Sequence, residues 1–396
     1  MNINRQGGPH CILCRGQIPE KTKPEHVLLN ALGGRMTVNH VICPSCNHKM
    51  GIGPDNDLAD SVAFIRNICG FKAGDGDEPP EIRGLESGGT KLDLIPGMRP
   101  RLRPKQPLDI QITDKDIRVQ VNANSRQEAE KLAKGAAAKI AKQFGRKGGD
   151  VIELIAQDLL KDSTSFFSPA PSISYQAGFG QGKSQQAAAK ACLVLWAKHC
   201  GNDEVNSKRY DAVRHYILTG EKTDNPEEIV KLDTRTLPDL PERFGLHPNI
   251  IWVGSDPAGQ TYGYFRLYGA IGWRIALCGQ DAPVSRHVCL ISNPYDNRSW
   301  ALLERAENPI DHDWVFAQWE TWPPDYRNVQ SRMALLLKYA HAKSQDDWMA
   351  NLVREGLEKA DCREGDIITP GHIEIFSNYI GRALTAHILK TTVPEE

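Results

Sequence analysis

Two Cys-x-x-Cys pairs, Cys11-Ile-Leu-Cys14 and Cys43-Pro-Ser-Cys46, constrain the fold of this chain more than any other feature. Each pair holds two sulfurs on one tight turn, and four thiolates at this spacing suit a single tetrahedral Zn²⁺ that joins the turns. A unit with little apolar core can stay folded this way, because metal binding supplies folding free energy. The bland alternative is four ordinary buried cysteines. Ten cysteines in all, and a polar N-terminus from Met1 to Pro9 without an apolar leader, point to the cytoplasm, where thiols bind metal or stay free.

Composition excludes several classes. Hydrophobic residues make up 40% of the chain, yet its longest apolar runs, such as 187–197, fall short of the roughly 20 residues that span a bilayer. No membrane partner is expected. The formal net charge of −1 means that any nucleic-acid contact must come from local basic patches. A length of 396 residues calls for more than one compact unit.

The pattern along the chain is α+β. Residues 1–73 form the cysteine-rich unit, ending in an expected helix from Asp57 to Phe71. Glycine, proline and acids then favour a linker over 74–107, with Gly74-Asp75-Gly76-Asp77-Glu78-Pro79-Pro80 at its start. A mixed, mainly helical domain is expected over 108–248. It opens with strands Leu108–Thr113 and Ile117–Val121, followed by a helix capped by Ser125 and Glu128 and helices at 150–161, 184–200 and 207–218. From 249 to 396 the pattern gives an antiparallel sheet (250–253, 262–267, 273–278 and 287–291) and then helices at 329–342, 345–359 and 372–390.

Between and after the knuckles stand Glu25-His26, Gly33-Gly34, Asn39-His40 and Cys46-Asn47-His48. The order C-x-x-C, acid-His, Gly-Gly, Asn, C-x-x-C-N resembles the zinc-containing branch of the HNH, or ββα-metal, endonuclease superfamily. The resemblance covers Cys11 to Gly51. It implies an N-terminal ββα-metal domain in which Cys11, Cys14, Cys43 and Cys46 hold structural Zn²⁺. Glu25 and Asn47 would hold a catalytic divalent ion, Mg²⁺ or Mn²⁺; His26 would be the general base, and Asn39 would fix the loop that orients it. The chemistry agrees. Phosphodiester hydrolysis needs water deprotonated near neutral pH, where imidazole titrates, and a hard cation on oxygen ligands to stabilise developing charge. Glu25 stands where the family often has Asp, and Asn47 where it often has His; both variants still offer oxygen. His10, His40 and His48 are read as phosphate contacts or surface residues, since four cysteines saturate zinc.

Arg99-Pro-Arg101-Leu-Arg103-Pro-Lys105 places four cations on an extended segment that suits a phosphate backbone or a solvated linker equally well. Ala177-Gly-Phe-Gly-Gln-Gly182-Lys183-Ser184 looks like a relaxed P-loop, but without a convincing preceding strand or Mg²⁺-binding partner it reads better as a loop with Ser184 as an N-cap. The aromatic cluster Trp314, Phe316, Trp319, Trp322 and Tyr326 is read as core or a domain interface. The sequence therefore carries two function classes. One is an endonuclease on DNA, with RNA also open, in the role of a restriction or antiviral effector. The other is a zinc-ribbon nucleic-acid-binding or scaffold protein without catalysis. The C-terminal region is left for a partner protein or a second copy of the chain.

Overall fold

The computed structural model describes residues 8–87, 89–113, 116–124, 126–146, 148–161, 182–221, 229–304, 307–317 and 325–389. The chain divides into two compact units, each made of two separate stretches: Met1–Pro80 with Gln176–His341, and Glu81–Tyr175 with Ala342–Glu396. The cysteine-rich head is thus built into one unit with much of the region that follows residue 176.

In the head, strands β1 (Glu25–His26) and β2 (Thr37–Val38) pair antiparallel, Glu25 opposite Val38 and His26 opposite Thr37. Helix α1 (Pro44–Ile52) follows, starting with Pro44 in its first turn, where a missing N–H leaves nothing unsatisfied. In place of one helix over 57–71, the chain makes α2 (Pro54–Ser61) and α3 (Ala63–Cys69), broken at Val62, whose ψ of 3° lies outside helical geometry. Gly70, at φ 68°, ends α3 by donating to Arg66 and Asn67 carbonyls.

The segment expected to be a linker carries β3 (Ile82–Ser87), β4 (Thr90–Ile95) and β5 (Arg99–Leu102), an antiparallel sheet in that order. Leu92 and Leu94 are buried, so β4 has an apolar side to cover, and Pro100 sits on the edge strand, where a missing N–H is tolerated. A hairpin follows, β6 (Leu108–Ile112) with β7 (Ile117–Val121), Ile112 opposite Ile117. Then come α4 (Arg126–Gln143) and α5 (Gly149–Lys161). Ser125 lies outside the described residues; Glu128 accepts from Asn124 N and Nδ2 at 2.8 and 3.0 Å.

The first unit resumes with α6 (Lys183–Cys200), α7 (Asn202–Val205) and α8 (Asp211–Thr219). Its sheet comprises β8 (Val230–Asp233), β9 (Asn249–Ser255), β10 (Thr261–Leu267), β11 (Ile271–Cys278), β12 (His287–Asn293) and β13 (Asp296–Glu304), in the order β13-β12-β9-β10-β11-β8 and antiparallel throughout. Alternation along β9 sorts the core: Ile251 and Val253 join the larger apolar cluster with α6, while Ile250 and Trp252 join a second cluster with Phe244, Ile310 and Val315. Helix α9 (His312–Phe316) closes that second cluster. Trp314 stacks edge-on to Tyr264 at 5.3 Å and Phe316 to Tyr262 at 5.0 Å, while Trp319 and Trp322 lie outside the described residues. Helices α10 (Tyr326–Lys359) and α11 (Pro370–Leu389) end the chain, with one helix where two were expected over 329–359.

Helix α6 positions the head. It packs on α2 and on β9, β10 and β11. Gly263 on β10 makes this possible, because a Cβ there would stand 2.6 Å from Cys192 Cβ. The Arg214 guanidinium, on α8 and 5% exposed, donates to the carbonyls of Ile12, Val205 and Ser207 at 3.0–3.1 Å. Asn249 Nδ2 reaches Leu32 O at 3.1 Å. Replacing Arg214 with Met strands these buried carbonyls, so urea unfolding should lose about 2–4 kcal/mol at unchanged m-value. A midpoint that does not move would mean that the head folds independently of α8.

Candidate functional site

The zinc-type centre forms where the first loop meets α1. The Sγ atoms of Cys11, Cys14, Cys43 and Cys46 all lie within 4.8 Å of one another, with Cys14 to Cys43 at 3.6 Å. A tetrahedral ion with Zn–S bonds of ~2.3 Å needs sulfurs about 3.8 Å apart, so the cluster fits. Local backbone explains the fit. Arg15, at φ 59°, turns the first knuckle back so that Cys11 N donates to Gly16 O at 2.8 Å. Cys43, extended at ψ 158°, caps α1 by accepting from Cys46 N at 3.5 Å. Contact with the Cys46 sulfur and nearby N–H groups lowers the Cys11 thiol pKa, and the same contact raises that of Cys46, so the pair favours one thiolate first. Among the described residues no other group of three or more His, Cys, Asp or Glu side chains converges in this way; His10 and His48 are exposed, and the His40 carbonyl accepts from Asn202 Nδ2 at 2.6 Å.

His26 lies half-buried on β1, the strand that carries Glu25. Burial lowers its pKa below the ordinary imidazole value, Glu25 and Asp75 push the other way, and Lys190 adds to the lowering. The loop after β1 is tightly specified. Gly33 takes φ 86°, and Gly34 has no room for a side chain, since a Cβ would stand 1.8 Å from Leu28 O. Gly74 is excluded from bearing one for the same reason, by Gly34 O at 1.9 Å. The supposed linker therefore folds back onto the Gly-Gly turn. Gly74 N donates to Asn30 O at 2.8 Å, Asn30 Nδ2 to Asp75 Oδ2 at 2.7 Å, and Asn297 Nδ2 on β13 to Ala73 O at 2.9 Å. Asn30, by this bond, holds the Asp75 carboxyl below the usual range and fixes a negative charge that acts on His26. Asn39 lies exposed in the turn after β2; the side chain that ties this loop is Asn30.

Glu25 is buried, and its environment was not legible in the sequence. Its Oε1 accepts from Lys190 Nζ on α6 at 2.6 Å, and the same ammonium donates to Asp55 Oδ2 on α2 at 2.5 Å. Burial alone would push the Lys190 pKa down, but Asp55 and Glu25 hold it above the ordinary lysine value. Ser184 Oγ, also on α6, donates to Asp57 Oδ2 at 2.7 Å, so Ser184 binds the head while Gly182 occupies the cap position. Residues 177–181 of the P-loop-like stretch lie outside the described residues. Asn47 sits part-buried on α1, directly after the Cys46 sulfur. Glu25 and Asn47 thus offer oxygen donors from a strand and a helix, and Asp55 Oδ1 is buried with no hydrogen-bond partner among the described residues. This donor chemistry fits a hard divalent ion, with one Glu25 oxygen already held by Lys190.

The basic segment belongs to the second unit, on and after β5. Arg101 and Arg103 both donate to the buried Asp93 carboxylate, at 3.2 and 2.6 Å, and Arg101 also to Glu81 at 2.8 Å. Arg99 Nε donates to Pro96 O at 3.2 Å.

A short antiparallel pair, a following helix and four converging cysteines define a ββα unit built round a zinc-knuckle-like cluster, with a histidine on its first strand. Residues 11–62 match the family model described as HNH endonuclease, a match that spans the cysteines, Glu25, His26 and Asp55. No curated protein and no solved structure matches the chain. No helix among the described residues is long and apolar enough to cross a membrane.

The cysteine geometry gives a direct test. Purified protein should contain one zinc per chain, and Cys46→Ser should lose it along with near-ultraviolet circular dichroism. Full ellipticity in a zinc-free sample would remove the structural role from the cluster.

Proposed function

We propose that the chain is an HNH endonuclease hydrolysing DNA phosphodiester bonds, with His26 as general base and Glu25 and Asn47 as ligands of one catalytic Mg²⁺ or Mn²⁺. The observation that carries this reading is His26 itself. Its half-buried imidazole, with a pKa below the ordinary value, stands beside Glu25 in the segment that matches the nuclease family. Neutral imidazole takes the proton from water as the water oxygen bonds to phosphorus, and the bond to one ester oxygen breaks with its electron pair leaving on that oxygen. When bound, the divalent ion supplies charge stabilisation for the phosphoryl and leaving oxygens. Asp75, held by Asn30, faces the imidazolium that forms and stabilises it. A nuclease head built into a larger α+β body suits a restriction or antiviral effector in the cytoplasm, and RNA remains an alternative substrate.

One observation favours the non-catalytic reading. Glu25 is bonded to Lys190, as a purely structural acid would be. His26→Ala separates the two. Zinc content, folding and DNA affinity should persist, since phosphate contacts dominate binding. The single-turnover cleavage rate should fall about 10²- to 10⁴-fold. Equal rates in variant and wild type would leave a zinc-binding nucleic-acid module.

The basic segment is proposed to contact phosphate through Arg99, Arg101, Arg103 and Lys105, with different weights. Arg101 and Arg103 already face Asp93, which competes with phosphate for them. Neutralising Arg99 and Lys105 together should flatten the salt dependence of duplex-DNA binding by up to about 0.9 in log–log slope per lost contact. No change in slope would make this segment a structural strand only.

A further inference from the structure

Among the described residues of the first unit Lys190 is the most deeply buried lysine, its side chain 1% exposed, and its two partners arrive from different elements, Glu25 from β1 and Asp55 from α2. The Nζ–oxygen distances of 2.6 and 2.5 Å are those of short charge-assisted hydrogen bonds. The two carboxylates therefore already converge, one oxygen each, on a single positive charge. Asp55 Oδ1, buried and without a hydrogen-bond partner among the described residues, is a lone-pair site that the ammonium does not serve. Two carboxylates sharing one buried place cannot both stay ionised without a positive charge between them. Lys190 supplies that charge at any metal concentration.

We propose that the Lys190 ammonium is a built-in cation, standing between Glu25 and Asp55 where a divalent ion would otherwise bind and limiting this centre to one exchangeable divalent ion. Only the identity of that one ion, assigned above to Glu25 and Asn47, rests on the nuclease reading. Lys190 and Asp55 are positioning residues in this arrangement. They fix one oxygen of Glu25 and leave the other for the exchangeable ion, and they bring a residue of α6, outside the family-matched segment, into the centre.

The test counts ions in the zinc-loaded full chain. Mn²⁺ is titrated, and its bound equivalents are read from loss of the free-ion electron paramagnetic resonance signal, with zinc measured in the same samples. Wild type should bind one Mn²⁺ and Lys190→Met two. The double variant Lys190→Met with Asp55→Asn should return to one. Equal counts in wild type and Lys190→Met overturn the proposal. No Mn²⁺ in wild type and one in Lys190→Met would uphold it while removing the metal-dependent nuclease reading. If Lys190→Met is too unstable to titrate, its melting temperature decides. Millimolar Mn²⁺ should raise it by several degrees more than it raises that of wild type, because the second ion replaces a missing internal charge; a variant that gains no more than wild type overturns the proposal.

Discussion

Charge buried between β1, α2 and α6 governs the first unit, since Lys190, Glu25 and Asp55 reach one another across 165 and 135 residues of sequence. Removing one member of a buried ion pair leaves an uncompensated charge, at about 3–5 kcal/mol. Burying any one of the three therefore depends on compensation from the others, and the observed bond of Glu25 requires α6 to be seated against α2. The cysteine cluster and the ion cluster divide the task. The four cysteines bring the first loop to the start of α1, and the ion cluster holds the strand of that head to the body. A head organised by metal alone would have little reason to bury Glu25.

The loop around His26 shows the same dependence from another side. A Cβ on Gly74 would strike Gly34 O and one on Gly34 would strike Leu28 O, and this close packing of backbones places the Asp75 charge within electrostatic reach of the imidazole. In sequence, Gly74 to Pro80 has the composition of a linker, and composition is a fair guide where a segment has nothing to pack against. Here it packs against another glycine turn and is hydrogen-bonded from β13 by Asn297. Small residues serve a close approach of two backbones as readily as they serve flexibility, and single-sequence reading cannot tell the two apart.

What was legible follows from the range of the interaction. Cysteine spacing, the Glu25-His26 pair, the β6–β7 hairpin and strands β9 to β12 depend on local pattern, and the structure has them close to where the pattern puts them. The partners of Glu25 were not legible, because a lysine inside the apolar run of α6 gives no sign of which acid it meets. Its position was still a signal: Lys190 lies among Ala187 to Ala197, all buried, and a charge in such a run requires a counter-charge. The seating of α6 on the sheet was hidden for the same reason, since long-range packing such as Cys192 on Gly263 leaves no local trace.

The basic segment shows how charge in sequence differs from charge available for binding. Four cations in seven residues suggest an electrostatic footprint, yet Asp93, fully buried as a side chain, accepts from two of them, and Glu81 from one of the same two. An arginine bonded to a buried carboxylate can meet a phosphate only by sharing its fork or by leaving an acid unpaired, and the second route is unfavourable. The carboxylate also fixes the guanidinium in place, so less side-chain freedom is lost if its outer edge meets phosphate. In the proposed phosphate contact, Asp93 thus lowers the net attraction of β5 while making its arginines more directional. Such a strand would be better suited to holding a backbone in one register than to capturing it from solution, which would leave capture to cations without such partners.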